Sequence, residues 1–268
     1  MNNLTFPEGI TYKYRYTTGG DFIPADIQLT NTYGLYAYSQ NNIIDIKFDT
    51  SNVTDMRYMF YNSESLCKIS PFNTSNIIDM SSMFDTCREL ISIPHLDTSN
   101  VTNMTKTFAY CTKLATIPQL DTSNVNGMTY MFSNCSALTS IPQLDTSNVT
   151  NMSNMFESCS SLTSIPQLDC SKVTNIGMFG YKGCVSLINL GGFKNLGMQT
   201  SVSNTAGNYF LGASSQLTHR SIMNVINNLY DRKTAGYSVL TLKLHANVLA
   251  LLSDEEKAIA TNKGWTLS

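Results

Sequence analysis

One 24-residue motif recurs along most of the chain and restricts its possible folds more than any other feature. The clearest copy, residues 144–167, reads LDTSNVTNMSNMFESCSSLTSIPQ. Related copies start at Phe48, Phe72, Leu96, Leu120, Leu144 and Leu168. A constant period in the twenties is typical of leucine-rich-type repeats, in which successive units stack on one another. We call each unit a coil and number its positions from 1 to 24.

Apolar side chains occupy the same positions in each of the first five coils. In the fifth coil these positions, 1, 6, 9, 13, 19 and 22, hold Leu144, Val149, Met152, Phe156, Leu162 and Ile165. One coil cannot bury six such side chains, but stacked coils bury each of them against the equivalent residue of the neighbouring coil. The sequence therefore predicts an α/β solenoid of six 24-residue repeats, similar to a leucine-rich repeat.

Local signals within a coil predict a strand, a turn, a helix-like turn and a second turn. The strand is expected over 162–168 and its equivalents, where a proline column makes it short or broken because proline cannot donate to a ladder. The sequence Asp-Thr-Ser-Asn, which follows, is typical of a turn. Met152, Met155 and Phe156 then stand at i, i+3 and i+4, the spacing of one helical face.

Three further columns could carry chemistry, and each also has a structural explanation. The carboxylates at position 2 are Asp49, Asp97, Asp121, Asp145 and Asp169. Two interpretations are open for them: they accept hydrogen bonds from the adjoining turn, or they bind a cation such as calcium. The asparagines at position 5 predict a ladder of bonds to the backbone. The cysteines at position 16 predict buried free thiols, because no C-x-x-C pair indicates zinc. We predict no cofactor and no metal site.

The two ends of the chain depart from the motif. Residues 1–47 are predicted to be a β-rich N-terminal cap or attachment segment, 48–190 the repeat solenoid, and 191–268 an α/β C-terminal cap. Strands are expected over 11–16, 33–38 and 42–48. Near the C-terminus we expect a helix from Thr218 or Ser221 to about Tyr230 and a strand over 238–244. A capping box at 253–256, a helix to about Asn262, a Gly264 cap and a strand from Trp265 complete the prediction.

Composition excludes several classes of partner. Charged residues make up 13% of the chain and the net charge is −2, so nothing indicates binding to nucleic acid or to an anionic membrane. No apolar run approaches the roughly 20 residues of a membrane span. The opening MNNLTFPEGI lacks a basic region followed by an apolar stretch, so no secretion signal is predicted. The protein is therefore expected to act where it is made or to leave the cell by another route, such as inside a virus particle.

The run DTSNVTNMSNMFESCSSLTSI resembles the BspA-like leucine-rich-type repeats of bacterial surface proteins and gut bacteriophage proteins. The pattern V-T-N-M-x-x-M-F-x-x-C-x-x-L covers about 48–190, and the segments LTHRSIMNVINNLY and LSDEEKAIATNKGW are similar to the tail that follows such repeats. The resemblance implies a right-handed, non-enzymatic solenoid that acts in adhesion or recognition. Bacterial members usually carry a secretion signal and anchoring domains, so their absence here favours a phage virion component.

Positions 10, 11, 14 and 15 vary between coils and are expected to face solvent, where they are available for recognition. The predicted ligand-binding residues are Tyr58, Tyr61, Tyr110, Tyr130, Lys106 and Asn154. The predicted ligand is a host-surface protein or glycan, with other virion proteins bound through the N-terminal segment and a homo-oligomer possible. A bacterial surface adhesin and a structural virion spacer are the alternatives. An enzyme is not expected, because the three histidines are isolated and no catalytic motif is present.

Overall fold

The apolar columns form one continuous core. The computed structural model of the protein describes residues 32, 34, 35, 42–44, 49–174, 183–199 and 211–268. All side chains at positions 6, 9, 13, 19 and 22 of the first five coils are buried. Position 12 is a further buried column that the sequence analysis did not separate out, formed by Met59, Met83, Thr107, Met131 and Met155. These columns confirm that the 24-residue unit is a structural repeat.

The phenylalanines at position 13 stack face to face along the core. Ring centroids of Phe60, Phe84, Phe108, Phe132 and Phe156 lie 5.3, 5.6, 5.8 and 6.0 Å from one neighbour to the next. Adjacent rings are within 10° of parallel. Each ring therefore fills the space above the ring of the preceding coil, and the column sets the spacing of the stack.

The segment from position 9 to position 16 forms overlapping turns and not the helix-like turn that we predicted. The N–H groups of Met59 and Tyr61 donate to the carbonyl oxygens three residues earlier, at 3.2 and 3.0 Å. The N–H groups of Tyr58, Phe60 and Asn62 donate to the next coil instead, at 3.2, 2.9 and 2.8 Å. An α-helix would direct every N–H group to the carbonyl four residues earlier and leave none for the neighbouring coil.

Left-handed backbone at positions 11 and 15 produces this alternation. The residues with φ between 54 and 67° are Tyr58, Ser82, Lys106, Tyr130 and Asn154 at position 11 and Asn62, Thr86, Tyr110, Asn134 and Ser158 at position 15. An α-helix requires negative φ throughout, so these residues end the helical path at once. The apolar spacing at Met152, Met155 and Phe156 predicted a helix because overlapping turns bury side chains at nearly the same intervals.

On the opposite side of the stack, very short strands form at its two ends, while the second to fourth coils, all within the described residues, have no strand there. β1 (Ile43–Ile44) pairs in parallel with β2 (Lys68–Ile69), and β3 (Ser164–Ile165) pairs with β5 (Asn189–Leu190). β4 (Leu168–Asp169) pairs with β6 (Phe193–Lys194). Each of these strands has two residues. The short or broken strand expected from the proline column is therefore confirmed: it has two residues at Ser164–Ile165, and the equivalent described segments of the second to fourth coils form no strand.

Residues before Phe48 make the same backbone hydrogen bonds to the following coil as positions 9 and 11 of the motif. Thr32 N–H donates to the Asp55 carbonyl at 2.9 Å and Gly34 N–H to that of Arg57 at 3.1 Å, in the pattern of positions 9 and 11. Gly34 has φ of 64°, the left-handed conformation of position 11. The stack thus begins ahead of the first recognisable motif. The strand predicted at 11–16 lies outside the described residues, as does most of the strand predicted at 33–38.

A helix and a small parallel sheet follow the stack. α1 (His219–Asn228) is N-capped by the Thr218 hydroxyl and contacts β5 and β6. The Leu190 N–H donates to Ser221 Oγ and Asn224 Nδ2 donates to the Leu190 carbonyl, both at 3.0 Å. α1 therefore covers the open edge of the strand ladder with side chains that satisfy its backbone, which removes a site for aggregation.

The final elements agree closely with the sequence analysis. β7 (Leu240–Leu242) pairs in parallel with β8 (Trp265–Leu267), while α2 (Ala246–Leu249) was not predicted. α3 (Asp254–Asn262) begins at Ser253 with the predicted capping box to Glu256. Gly264 follows it with φ of 78°, the conformation expected of a C-terminal cap. No helix among the described residues is long and apolar enough to cross a membrane.

Candidate functional site

The aspartate column is used inside its own turns. Asp97 Oδ1 accepts hydrogen bonds from the N–H group and hydroxyl of Ser99 at 3.1 and 2.7 Å, and Asp121 and Ser123 repeat the arrangement at 3.0 and 2.7 Å. These serine hydrogen bonds lower the pKa of Asp97 and Asp121. The first of the two interpretations is therefore confirmed. Among the described residues, no group of three or more His, Cys, Asp and Glu side chains could hold a metal ion.

The asparagine column binds the backbone, as predicted. Asn100 Nδ2 donates to the Ser75 carbonyl at 2.8 Å, and Asn124 and Asn148 make the same bond one coil on, at 2.7 Å. The glutamines at position 24 behave alike: Gln119 Nε2 reaches the Gln143 carbonyl at 2.8 Å. These amide groups donate to backbone carbonyls of neighbouring coils, so their role is to hold the coils together.

The cysteine column also connects coils. The thiols of Cys87, Cys111, Cys135 and Cys159 donate to the phenylalanine carbonyl of the preceding coil at 3.0 to 3.2 Å. Burial raises the pKa of all four thiols, that of Cys159 to about 12. All seven cysteines are free, and six are buried, as predicted for the column. Protonated, buried thiols are poor nucleophiles and poor metal ligands.

Four of the six predicted ligand-binding residues share position 11, which forms a stripe along the stack. Tyr58, Lys106, Tyr130 and Asn154 occupy this stripe with left-handed backbone. The Lys106 ammonium lies 5.7 Å from the centroid of the Tyr130 ring. Tyr61, at position 14, packs edge-on against Tyr58 with ring centroids 5.5 Å apart. The structure therefore places these tyrosines in two contacts, one in the first coil and one between the third and fourth.

Tyr110, the sixth predicted residue, lies elsewhere. It lines a groove between columns 15 and 17, on either side of the buried cysteines, which we call the Tyr110 groove. Its lining is Arg88, Tyr110, Thr112, Asn134, Ser136, Ser158, Ser160, Gly183 and Val185. The Arg88 guanidinium carbon is 5.8 Å from the Tyr110 ring centroid and its Nε is 3.6 Å from a Glu64 carboxylate oxygen.

Sequence reasoning missed Arg88 and Asn134 as members of this groove. The signal that could have found them is the cysteine column: Cys111 and its equivalents are buried, while their neighbours at positions 15 and 17 are at least partly exposed. Thr112 and Ser136 hydroxyls donate to the carbonyl of position 17 in the preceding coil, at 3.0 and 3.3 Å. Their orientation is therefore fixed by the stack.

Position 14 faces inward in three of the first five coils, which differs from our prediction that it faces solvent. Asp85, Ala109 and Ser133 are 8%, 1% and 1% exposed. In these three coils the residue before the left-handed residue turns into the stack, whereas Tyr61 and Glu157 at the same position are partly exposed. Burial raises the pKa of the Asp85 carboxyl, while the Thr86 hydroxyl and the charge of Lys106 act against that rise.

Comparison with known proteins places the chain in a family. Two segments, 28–114 and 91–186, match the family DUF285, described as a Mycoplasma protein of unknown function, and together they cover more than half of the chain. The crystal structure of a T. pallidum leucine-rich repeat protein is similar at 20% identity and a TM-score of 0.47, over 77% of this chain and 95% of that one. The comparison with curated proteins gave no match. The repeats described above are thus those of a member of the DUF285 family, to which this chain belongs.

Proposed function

We propose that this chain is a right-handed, leucine-rich-type solenoid of the BspA-like kind that works by binding and not by catalysis. In this proposal it is a bacteriophage virion protein, in the tail or as a capsid fibre or decoration, and it recognises a host-surface protein or glycan. In this proposal the N-terminal segment attaches the protein to other virion proteins, and the α/β segment after the repeats closes the opposite end.

The observation that carries the proposal is the kind of residue found at the left-handed positions. Tyr58, Tyr110 and Tyr130 all have φ between 56 and 58°. A bulky residue there costs about 1 kcal/mol or more relative to glycine, and asparagine is the usual alternative. The same columns accept Asn62, Asn134 and Asn154, so the backbone does not need tyrosine. Large aromatic side chains kept at a cost to stability indicate a role in recognition.

The binding test uses the asparagine that the columns already tolerate. We expect the double variant Tyr58→Asn, Tyr130→Asn to bind host cells at least tenfold more weakly, since aromatic anchors dominate interface energies. Its thermal midpoint should not fall, because asparagine favours this backbone. Fluorescently labelled full-length protein on host cells provides the measurement. Unchanged attachment by a folded double variant would show that the stripe at position 11 is not the binding surface.

The location test separates the virion proposal from its runner-up, a bacterial surface adhesin. Mass spectrometry would compare purified phage particles with a shaved cell-surface fraction from the same culture. The proposal expects the chain in the particles. Its presence on cells alone would overturn the virion assignment in favour of the adhesin. If the chain is in the particles but neighbouring virion proteins protect the repeats from protease, the spacer function gains support.

A further inference from the structure

We propose that the Tyr110 groove binds a saccharide chain. This inference rests on the proposed function, because it names the class of surface ligand that the protein would recognise. It adds a site, since the groove is distinct from the stripe at position 11 that holds Tyr58, Lys106, Tyr130 and Asn154. The groove continues from Arg88 in the second coil to Val185 in the sixth.

The lining has the chemistry of carbohydrate recognition. A sugar ring presents hydroxyl groups around its edge and a patch of C–H groups on its face. Tyr110 is 43% exposed and offers a ring on which such a face can pack. Asn134 Nδ2 donates to Ser133 Oγ at 2.8 Å, which leaves its second N–H and its oxygen for ligand hydroxyls. Arg88 pairs with Glu64 through Nε, and its other guanidinium N–H groups can bond neighbouring hydroxyls.

The hydroxyl groups of the groove are arranged in advance of binding. Thr112 Oγ1 donates its proton to the Arg88 carbonyl, and Ser136 Oγ donates to that of Thr112. A hydroxyl whose proton is committed in this way still has lone pairs with which to accept. Thr112 and Ser136 therefore present acceptors in a regular row, and little side-chain entropy remains to be lost when a ligand binds.

Charge favours a sugar over other polymers. Arg88 is the one charged residue in the described lining, and its ion pair with Glu64 at 3.6 Å reduces its net effect. A nucleic acid or sulfated polymer would need a row of cations along the groove. A protein partner would need deep apolar or aromatic anchors, whereas five of the nine lining residues are serine, threonine or asparagine.

The repeat explains why the ligand should be a chain and not a single sugar. Columns 15 and 17 place Ser158 and Ser160 of the fifth coil where Asn134 and Ser136 stand in the fourth. The polar groups therefore recur along the stack axis at the spacing of the coils. A ligand made of repeating units can contact the polar groups of several coils at once. Each further contact requires no additional ordering of the backbone.

The decisive variant is Tyr110→Asn, tested with the full-length protein. Asn134 holds the equivalent position of the next coil with φ of 61°, so the change copies a residue that the column already accepts. The matched control is Thr86→Asn, which introduces the same residue in the same column and the same left-handed backbone, outside the groove lining. The probes are an array of immobilised bacterial capsular and cell-wall polysaccharides, and whole host cells treated with protease or with periodate.

We expect the wild-type protein to bind at least one polysaccharide of the array. We also expect Tyr110→Asn to bind it about tenfold more weakly, the loss typical of one aromatic contact, while Thr86→Asn matches the wild type. Binding to cells should survive protease and be lost after periodate, which cleaves neighbouring hydroxyl pairs of sugars. If Tyr130→Asn removes polysaccharide binding and Tyr110→Asn does not, the saccharide site lies in the position 11 stripe and the inference is wrong.

The failure of this inference can be told apart from the failure of the proposed function. Cell binding that protease removes and periodate leaves intact would overturn the saccharide and retain surface recognition. Binding to a polysaccharide through Tyr110 without binding to any host cell would support the groove and overturn host recognition. Absence of binding both to the array and to cells would overturn both.

Discussion

The regular coils and the region after them differ in how side chains hydrogen-bond to the backbone. In the coils, side chains bond the backbone of a neighbouring coil at nearly constant intervals of 23 to 27 residues. After residue 183 the intervals have no common value: Ser221 reaches Ile188 across 33 residues, and Trp265 reaches Tyr230 across 35. Stability in the coils is therefore shared among equivalent bonds, whereas the C-terminal region depends on individual side chains.

Arg232 illustrates this dependence. It is 1% exposed, and its guanidinium donates to the carbonyl oxygens of Gly197, Gln199 and Ser238. Burial lowers its pKa, yet the group stays charged because arginine titrates far above neutrality. No ion pair to Arg232 is found within the described residues, so carbonyl dipoles and the Tyr237 ring, 5.3 Å away, stabilise its charge.

The largest expected effect is a loss of folding stability at alkaline pH, caused by the buried cysteines. Burial raises the pKa of six thiols above that of an unfolded cysteine, four in the position 16 column and two near the end of the stack. Between about pH 9 and the folded pKa only the unfolded chain loses these protons, so stability is full below pH 9 and falls as pH rises. Each thiol should contribute a loss of about 1.4 kcal/mol per pH unit.

Urea unfolding at pH 8 and pH 10, followed by circular dichroism, measures this loss. Cys111→Ser is the comparison, because serine keeps a donor to the Phe84 carbonyl but does not titrate in this range. The variant should lose about one sixth less stability than the wild type. An equal pH dependence in both proteins would mean that the Cys111 thiol ionises without unfolding.

Phe108→Ala should break the middle of the stack. Phe108 packs between Phe84 and Phe132 at 5.6 and 5.8 Å, so its removal opens a cavity that touches two neighbouring coils. The expected loss is about 3–5 kcal/mol in the free energy of unfolding. Hydrogen exchange should show faster opening on both sides of the third coil, while α1 keeps its protection. Uniform loss of protection over the whole chain would contradict a stack of separable coils.

Arg232→Met should destabilise the C-terminal region that follows the coils. The change leaves three carbonyl oxygens without their donor, and the expected cost is about 2–4 kcal/mol. Trp265, the one tryptophan of the chain, is 1% exposed and reports on this region through its fluorescence. We expect its unfolding midpoint to fall while the circular dichroism of the coils changes less. Arg220→Met, on the exposed surface of α1, is the control and should change neither signal.

The smallest expected effect concerns the backbone of the coils. Tyr130→Gly relieves a φ of 56° and should raise the free energy of unfolding by up to about 1 kcal/mol, less what the ring contact with Lys106 contributes. Tyr61→Gly, at a neighbouring position outside the left-handed set, should lower it by roughly 0.5–1 kcal/mol. Thermal unfolding of both variants gives the comparison. Equal destabilisation would show that left-handed backbone carries no cost in this stack.

Much of the fold was predictable because a repeat reports each buried position several times. Position 13 is phenylalanine in five coils, and no single-copy sequence gives such redundancy. The capping box at Ser253 and Glu256 was predictable for another reason, since it is a local signal. The left-handed positions were not, because Tyr130 and Lys106 stand where glycine would have revealed them. Gly34, 24 residues before Tyr58, was the available sign of an earlier rung.

The candidate site was less predictable than the core. Variation alone cannot separate a position that meets solvent from one whose packing tolerates several small side chains, and this is why Ala109 and Ser133 misled us. The Tyr110 groove depends on Arg88, which reaches across from the neighbouring coil, and a one-coil motif does not encode such a contact.

The backbone ladder at positions 9 to 15 has a consequence for how proteins of this kind change length. Each of the first four coils donates the same backbone hydrogen bonds to the coil after it, so the described joints between coils are interchangeable. Loss or duplication of 24 residues would preserve every joint, whatever register within the coil the cut begins at. A gene that encodes such a stack can lengthen by unequal recombination without passing through an unfolded protein, and only the irregular ends, with residues such as Arg232, must stay as they are.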